Sequence, residues 1–411
     1  MSTAGSMSST TSSCGRRIRI FSTSIRRRRS RRWSRSSRRV GRPTDAGSNL
    51  MFVSQNTTPF LAETFPYQDK HCAKFCVAVV RATYDVDEHG NCTPSKQQSP
   101  FVYADTHYGD PEFTSIRVET DFAPIKPKCE VLLDAVAMAP QGRQAEEIEV
   151  RLVGPGLDKR AVVTGQRRWF RGGLGIQASR PTPFVSMPLA WHLAFGGTDR
   201  TDPDPAKHRS DAINPIGSGY LAGQGNIDGT PLPCVENPQS RMRIWNDRPH
   251  PVGFGPVPRF AKERARYAGT YDKHWMENVL PFLPQDFDDR YFQAAPEDQW
   301  LERLSEGMMF GCAGMNKGGI FKVKLPALSV PVRFMYDDRT EHKVATPDTL
   351  TIVPHEGRIV LVGRVGTKLP RKFVKLQQVK VGRDPEPIYP KPHYAGLKEA
   401  VAALAKMRRR R

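Results

Sequence analysis

The sequence predicts a mainly β fold: an antiparallel sandwich or barrel-like set of sheets, with long Gly/Pro-rich loops and a few short helices. Three observations predict it. Short β-branched or alternating segments follow one another between Phe52 and Gly165, each closed by a turn signal. Gly and Pro crowd residues 181–260, where long ordered loops fit better than regular elements. Strand-like segments then return from residue 320 onward. Spacing of this kind favours antiparallel sheets over an alternation of strands and helices.

The first run of segments reads "KFCVAVVRATYDV", "TSIRVETDFAP", "CEVLLDAVAMA", "EIEVRLVG" and "RAVVTG". Between them stand "DEHGN", "YGDP", "KPK" and "GPGLDK", where Gly, Pro, Asn and Asp supply turn geometry. Short helices are expected at 260–266, 271–278 and 297–305. The later strands are "IFKVKLP", "VRFMYD", "TLTIVPHE" and "GRIVLVGRVG". No internal repeat is visible. At 411 residues the chain can bury a large core, as one large domain or two lobes. No stretch approaches eighteen continuous apolar residues, which excludes a membrane-spanning helix of ordinary length.

The net charge of +20 invites a nucleic-acid reading, so its location decides what it means. Residues 1–43 hold thirteen Arg, no Lys and no acid, and Lys406–Arg411 adds five more cations. Without those eighteen, 44 basic residues face 42 acidic ones. The body is nearly neutral, and no basic face spread over the fold is indicated. Residues 1–50 form an Arg/Ser-rich tail with too little apolar surface to offset chain ordering. Three readings stand for it: an arm that touches nucleic-acid phosphates, a transit-peptide-like segment, or residues ahead of a translation start at Met51. At the other end Tyr394, Leu397, Val401 and Leu404 recur at helical spacing within 394–411, ahead of the Arg run. An amphipathic helix docked on its own body is expected there. The full division is thus tail 1–50, a β-rich domain 51–325, a small β extension 326–393, and the helix.

Seven cysteines lie scattered at 14, 72, 76, 92, 129, 234 and 312, and no secretory leader precedes them. Reduced thiols in a cytoplasm are the simplest account. His71, Cys72, Cys76 and Cys92 cluster in sequence, but their spacing is poor for zinc and a packed strand explains them. No phosphate loop, nucleophile elbow or paired metal-binding histidines occur. The best enzyme case joins His192, Asp199, Asp202, Asp204 and His208 as a metal or acid–base set for a hydrolase. The same "TDPDP" loop is equally a place where Asp side chains cap turns. "QDFDDR" has acids without a neighbouring thiol or histidine.

One stretch stands apart. Residues 266–300, "RYAGTYDKHWMENVLPFLPQDFDDRYFQAAPEDQW", hold eight aromatics in thirty-five residues, where the whole chain averages 9%. Aromatic side chains bring large contact area at low conformational cost, and Trp and Tyr concentrate binding energy at interfaces. Trp275, Tyr291 and Trp300 follow or flank polar residues and are expected at the surface. Phe282, Leu283, Phe287 and Phe292, with the three prolines, are expected to staple a loop onto the sheet. The candidate partner-binding set is Tyr271, Trp275, Asp286, Asp288, Arg290, Tyr291 and Trp300, with the carboxylates as an orienting rim.

"AGTYDKHW" and "PFLPQDFDDRYFQAAPEDQ" closely resemble a bacterial family long labelled as a domain of unknown function. "TPF" at 58–60, "RATY", "YADTHYGDP", "SIRVETDFAPIKPK", "PFVSMPLAWHLAFGGTD", "NPIGSGY", "LPCVENP" and "GFGP" continue the resemblance in order, over residues 57–325. Members of that family resemble adaptors or chaperones that accompany effectors of the type VI secretion system. Their genes usually neighbour those of the spike and of a PAAR-like tip protein. The resemblance implies a non-catalytic, cytoplasmic adaptor whose partners are a secreted effector and the tip, with no cofactor, no metal and no membrane partner. Nucleic acid enters only through the Arg-rich tail.

Overall fold

Apolar–polar alternation builds two mainly antiparallel sheets over one shared core. The computed structural model describes residues 53–370 and 375–383, except 174, 224 and 226. These belong to one unit that begins at Asn49. The Arg-rich tail and the C-terminal helix expected from sequence lie outside the described residues.

The principal strands are Val53–Asn56 (β1), Leu61–Gln68 (β2), Lys74–Val86 (β3), Cys129–Leu133 (β4), Glu147–Gly154 (β5), Leu157–Thr164 (β6), Met309–Ala313 (β7), Ile320–Lys324 (β8), Val330–Tyr336 (β9), Thr340–Val353 (β10), Arg358–Lys368 (β11) and Leu376–Val381 (β12). The larger sheet runs β1–β12–β9–β10–β11–β3–β2 and curls into a nearly closed, barrel-like surface, with β4 added in parallel on β10. The smaller sheet runs from Val235–Glu236 through β6, β5 and β7 to β8. The fold is mainly β, as the sequence predicts.

Burial follows the side-chain period of two. Val330, Val332, Phe334 and Tyr336 of β9 point inward, as do Ile148, Val150 and Leu152 of β5. β3 is buried from Cys76 to Tyr84 because both its faces are covered. One face joins the main core with Leu133, Leu152, Phe310 and Leu361; the other meets Phe101, Val360 and Val362. Each such side chain contributes about 1.5–3 kcal/mol by leaving water. "DEHGN" is the predicted turn after β3: Asp87 Oδ1 accepts from His89 N and Asn91 N, and Gly90 adopts φ +87°.

Two expectations change form. The strands after Leu325 are not a separate extension, since β9–β12 supply four strands of the larger sheet. Residues 297–305 do not form a helix. Glu297–Gln299 makes a single 3-10 turn, and Trp300–Leu301 then pairs with β4. A sheet edge that offers backbone partners outweighs local helix preference there. The other two short helices form as Lys262–Ala265 (α1) and Lys273–Asn278 (α2).

The Gly/Pro-rich region is ordered around its own small core of Trp169, Phe195, Leu221, Ile227, Leu232 and Met242. Buried Asn214 ties it together, donating to Trp191 O and Phe195 O. Glycine is required at 196: φ is +134°, and a Cβ would lie 2.2 Å from Asn214 O. Among the described residues no helix is long and apolar enough to cross a membrane.

Candidate partner-binding site

The aromatic stretch 266–300 has two physically different parts, a buried frame and an exposed tongue. The frame is fixed by Glu130 of β4, whose side chain is fully buried. One carboxylate oxygen accepts from Gln293 Nε2 at 3.1 Å, Ala294 N at 2.8 Å and Ala295 N at 3.0 Å. The other pairs with Lys126. Gln299 adds a second clamp, donating to Val131 O and Phe254 O while accepting from Lys159 Nζ. Trp300 donates to Ala295 O at 2.8 Å and lies on Leu132, Ala294 and Ala295. Tyr291 sits beneath Arg264, a buried guanidinium that also bonds Tyr291 O and Glu119. Burying polar groups at this depth costs little only because each is paired.

The tongue runs from Gly269 to Asp286. Asp286 closes its base by accepting from Thr270 N at 3.0 Å and Thr270 Oγ1 at 2.7 Å. The Thr270 backbone bond, then its hydroxyl, hold the Asp286 carboxyl below the usual carboxylate range. Asp272 caps α2 through Trp275 N at 2.8 Å. Trp275 donates from Nε1 to Phe282 O at 2.9 Å, tying the helix to the returning chain. Its ring meets Tyr271 edge-on at 4.7 Å. Beside the exposed Lys273 and Glu277, four large apolar side chains face outward: Tyr271 at 44% exposure, Met276 at 62%, Leu280 at 56% and Phe282 at 39%. Four large apolar side chains are thus exposed within twelve residues, on a backbone held by side-chain bonds at both ends.

The residues singled out from sequence divide accordingly. Tyr271 is on the exposed tongue, and Trp275 is half-buried as its brace. Tyr291 and Trp300 are not free surface aromatics; both are half-buried in the frame. Asp288 and Arg290 bind each other through Nε and Nη2, and Arg290 stacks on Tyr267 at 4.3 Å. The staple holds for Pro284 and Phe287, which are buried, but not for Phe282, which faces out. Sequence reasoning missed Met276 and Leu280. Met276 on α2 and Leu280 just past its end stand four residues apart, and that i, i+4 spacing is the signal that points to them.

The His192 loop has other partners. His192 Nδ1 faces Ser115 N at 3.2 Å and Ser115 Oγ at 3.0 Å, and burial pushes its pKa down. Asp199 accepts from Thr201 N, Thr201 Oγ1 and Ala222 N; Asp202 caps Asp204 N, and Asp204 caps Ala206 N. His208 Nε2 reaches Asp202 O. These are turn-capping roles. Among the described residues no group of three His, Cys, Asp or Glu side chains is placed to hold a metal. Cys76 is buried in β3, whereas Cys72 is exposed in the turn before it. Burial pushes the Cys76 thiol up to about 12.

Fold and site together define a β-rich scaffold that presents a braced apolar tongue. Residues 71–364 match a family described as "Uncharacterized protein conserved in bacteria (DUF2169)", and the chain belongs to that family. No curated protein matches the chain. No solved structure matches it either.

Proposed function

We propose that this protein is a non-catalytic adaptor or chaperone that binds a type VI secretion effector and promotes its loading onto the spike and PAAR-like tip. The observation that carries the reading is the tongue, with four exposed apolar side chains on a backbone fixed by Asp272, Trp275 and Asp286. Rigid, amphipathic surfaces lose little entropy on binding, which suits recognition of one partner without chemistry. The ordered motif resemblance along residues 57–325 supplies the secretion context. The acids and histidines of the most enzyme-like loop are already engaged in capping, which favours binding over turnover.

The test is co-purification with the effector encoded alongside, together with deletion of this gene. The adaptor reading expects a stable complex and loss of delivery of that effector alone. Loss of every effector's secretion contradicts it and points to a structural part of the machine.

A further inference from the structure

Besides a groove of about 460 Å³ lined largely by Gly, Ser and Thr, two grooves outside the tongue are large enough to receive a peptide. The larger, about 860 Å³, lies beside the smaller sheet and is electrostatically closed. Its charged walls are paired within the chain, Lys159 with Asp298, Arg160 with Glu149 and Arg266 with Glu297. The second, about 500 Å³, lies against β2, β3, β10 and β11 of the larger sheet. It has an apolar floor that includes Tyr67, Phe75, Ile125 and Pro347, and Ile125 is 45% exposed. Tyr67 and Phe75 are cross-strand partners on β2 and β3, with ring centroids 6.2 Å apart. Four carboxylates and three cations line the same groove; Glu302 pairs with Lys128, Asp348 with Arg364 and Lys126 with Glu130, which leaves Asp69 and Asp289.

Neither Asp69 nor Asp289 forms an ion pair among the described residues, although Lys70 attracts Asp289. Asp69 uses Oδ1 to close the hairpin turn, accepting from His71 N and Ala73 N. Asp289 accepts no hydrogen bond at its side chain among the described residues, and its neighbour Lys70 donates to Phe287 O. Burial raises the Asp289 carboxyl above the usual range, with Lys70 drawing it down and Asp288 and Asp69 pushing it up. Tyr67 is pushed up to about 12 by burial and by the charges of Asp289 and Asp69. A carboxylate without an ion-pair partner beside two aromatic rings complements a cation, and guanidinium or ammonium groups gain from both. The groove also adjoins the tongue's base, since Gln285 bonds Lys70 O and Asp289 lies three residues past the tongue's end at Asp286.

We propose that this groove receives an extended segment of the partner polypeptide, carrying a Lys or Arg set between apolar residues. The cation sits between Asp69 and Asp289 over the Tyr67–Phe75 rings, and the apolar neighbours lie along the floor toward Ile125 and Pro347. The inference rests on the reading that this chain holds a polypeptide partner, and it adds a second, charge-selective contact to the apolar tongue.

The experiment presents the full chain with a bead-displayed library of random decapeptides. Wild type is expected to select sequences with one Lys or Arg flanked by apolar residues, enriched at least tenfold. Asp289→Asn abolishes that preference, and Asp289→Lys turns it toward Asp or Glu. Selection without basic enrichment, or the same enrichment by Asp289→Asn, overturns the proposal. So does light scattering that shows a dimer split by Asp289→Lys, because the occupant is then a second copy. If the wild-type chain fails to hold the neighbouring effector while basic selection persists, the loading reading falls and the groove remains a peptide site.

Discussion

Glu130 shows how much of this molecule depends on a single side chain. A fully buried carboxylate serves one lysine, one amide side chain and two backbone amides, and thereby fixes residues 293–295 to β4. Removing it leaves Lys126 and two backbone donors without their acceptor. Glu130→Ala is expected to lose about 3–5 kcal/mol of unfolding free energy, read from urea titration, and a loss under about 1 kcal/mol contradicts the role. His192 makes a second prediction. Burial holds its pKa below the usual 6.5, so the unfolded chain takes up its proton first as the pH falls. Its stabilising contribution is present above about pH 6.5 and is lost as the pH drops below that value. His192→Asn, which keeps an acceptor toward Ser115, is expected to flatten the stability profile between pH 7 and pH 5; an unchanged slope contradicts this. The sequence shows neither role. The Glu130 contacts span 163–165 residues, and an isolated Glu in an apolar strand carries no mark of what it will hold. His192 was legible as a core histidine because it stands in an apolar run, but Ser115 as its neighbour was not.

The tongue belongs to the scale of elements. A six-residue helix is too short to persist alone, so α2 depends on its cap and its brace. Asp272→Ala removes the cap and is expected to lower local stability by about 1 kcal/mol. Hydrogen exchange at the Trp275 amide should quicken about fivefold while the sheet amides stay protected; uniform quickening contradicts a local role. The helix was readable in sequence at 271–278, and β3 was readable residue for residue, because both rest on local pattern. The side on which Phe282 emerges was not. It depends on how the chain returns from α2, where Trp275 Nε1 takes Phe282 O. The 3-10 turn at Glu297–Gln299 was unreadable for the same reason, since the pairing of Trp300 with Glu130 on β4 decides it.

At the scale of the molecule, the strands after Leu325 complete the same sheet that β3 begins, and the family match running to residue 364 takes in most of them. Fold class was legible because turn chemistry and alternation repeat along the chain. The union of early and late strands was not, since β3 and β11 pair across more than 270 residues, as Asp85 with Arg358. The resulting scaffold holds the tongue and the aromatic groove near one another, and the proposed function places binding on these surfaces rather than reaction in a cleft. Changing only outward side chains separates binding from folding. Met276→Asp combined with Leu280→Asp alters two exposed positions, so unfolding free energy should move by no more than about 1 kcal/mol. The most direct measurement is the affinity of this double variant for the effector encoded beside it, taken by calorimetry next to wild type. The account predicts at least a tenfold loss of affinity at equal thermal stability; an unchanged affinity contradicts it.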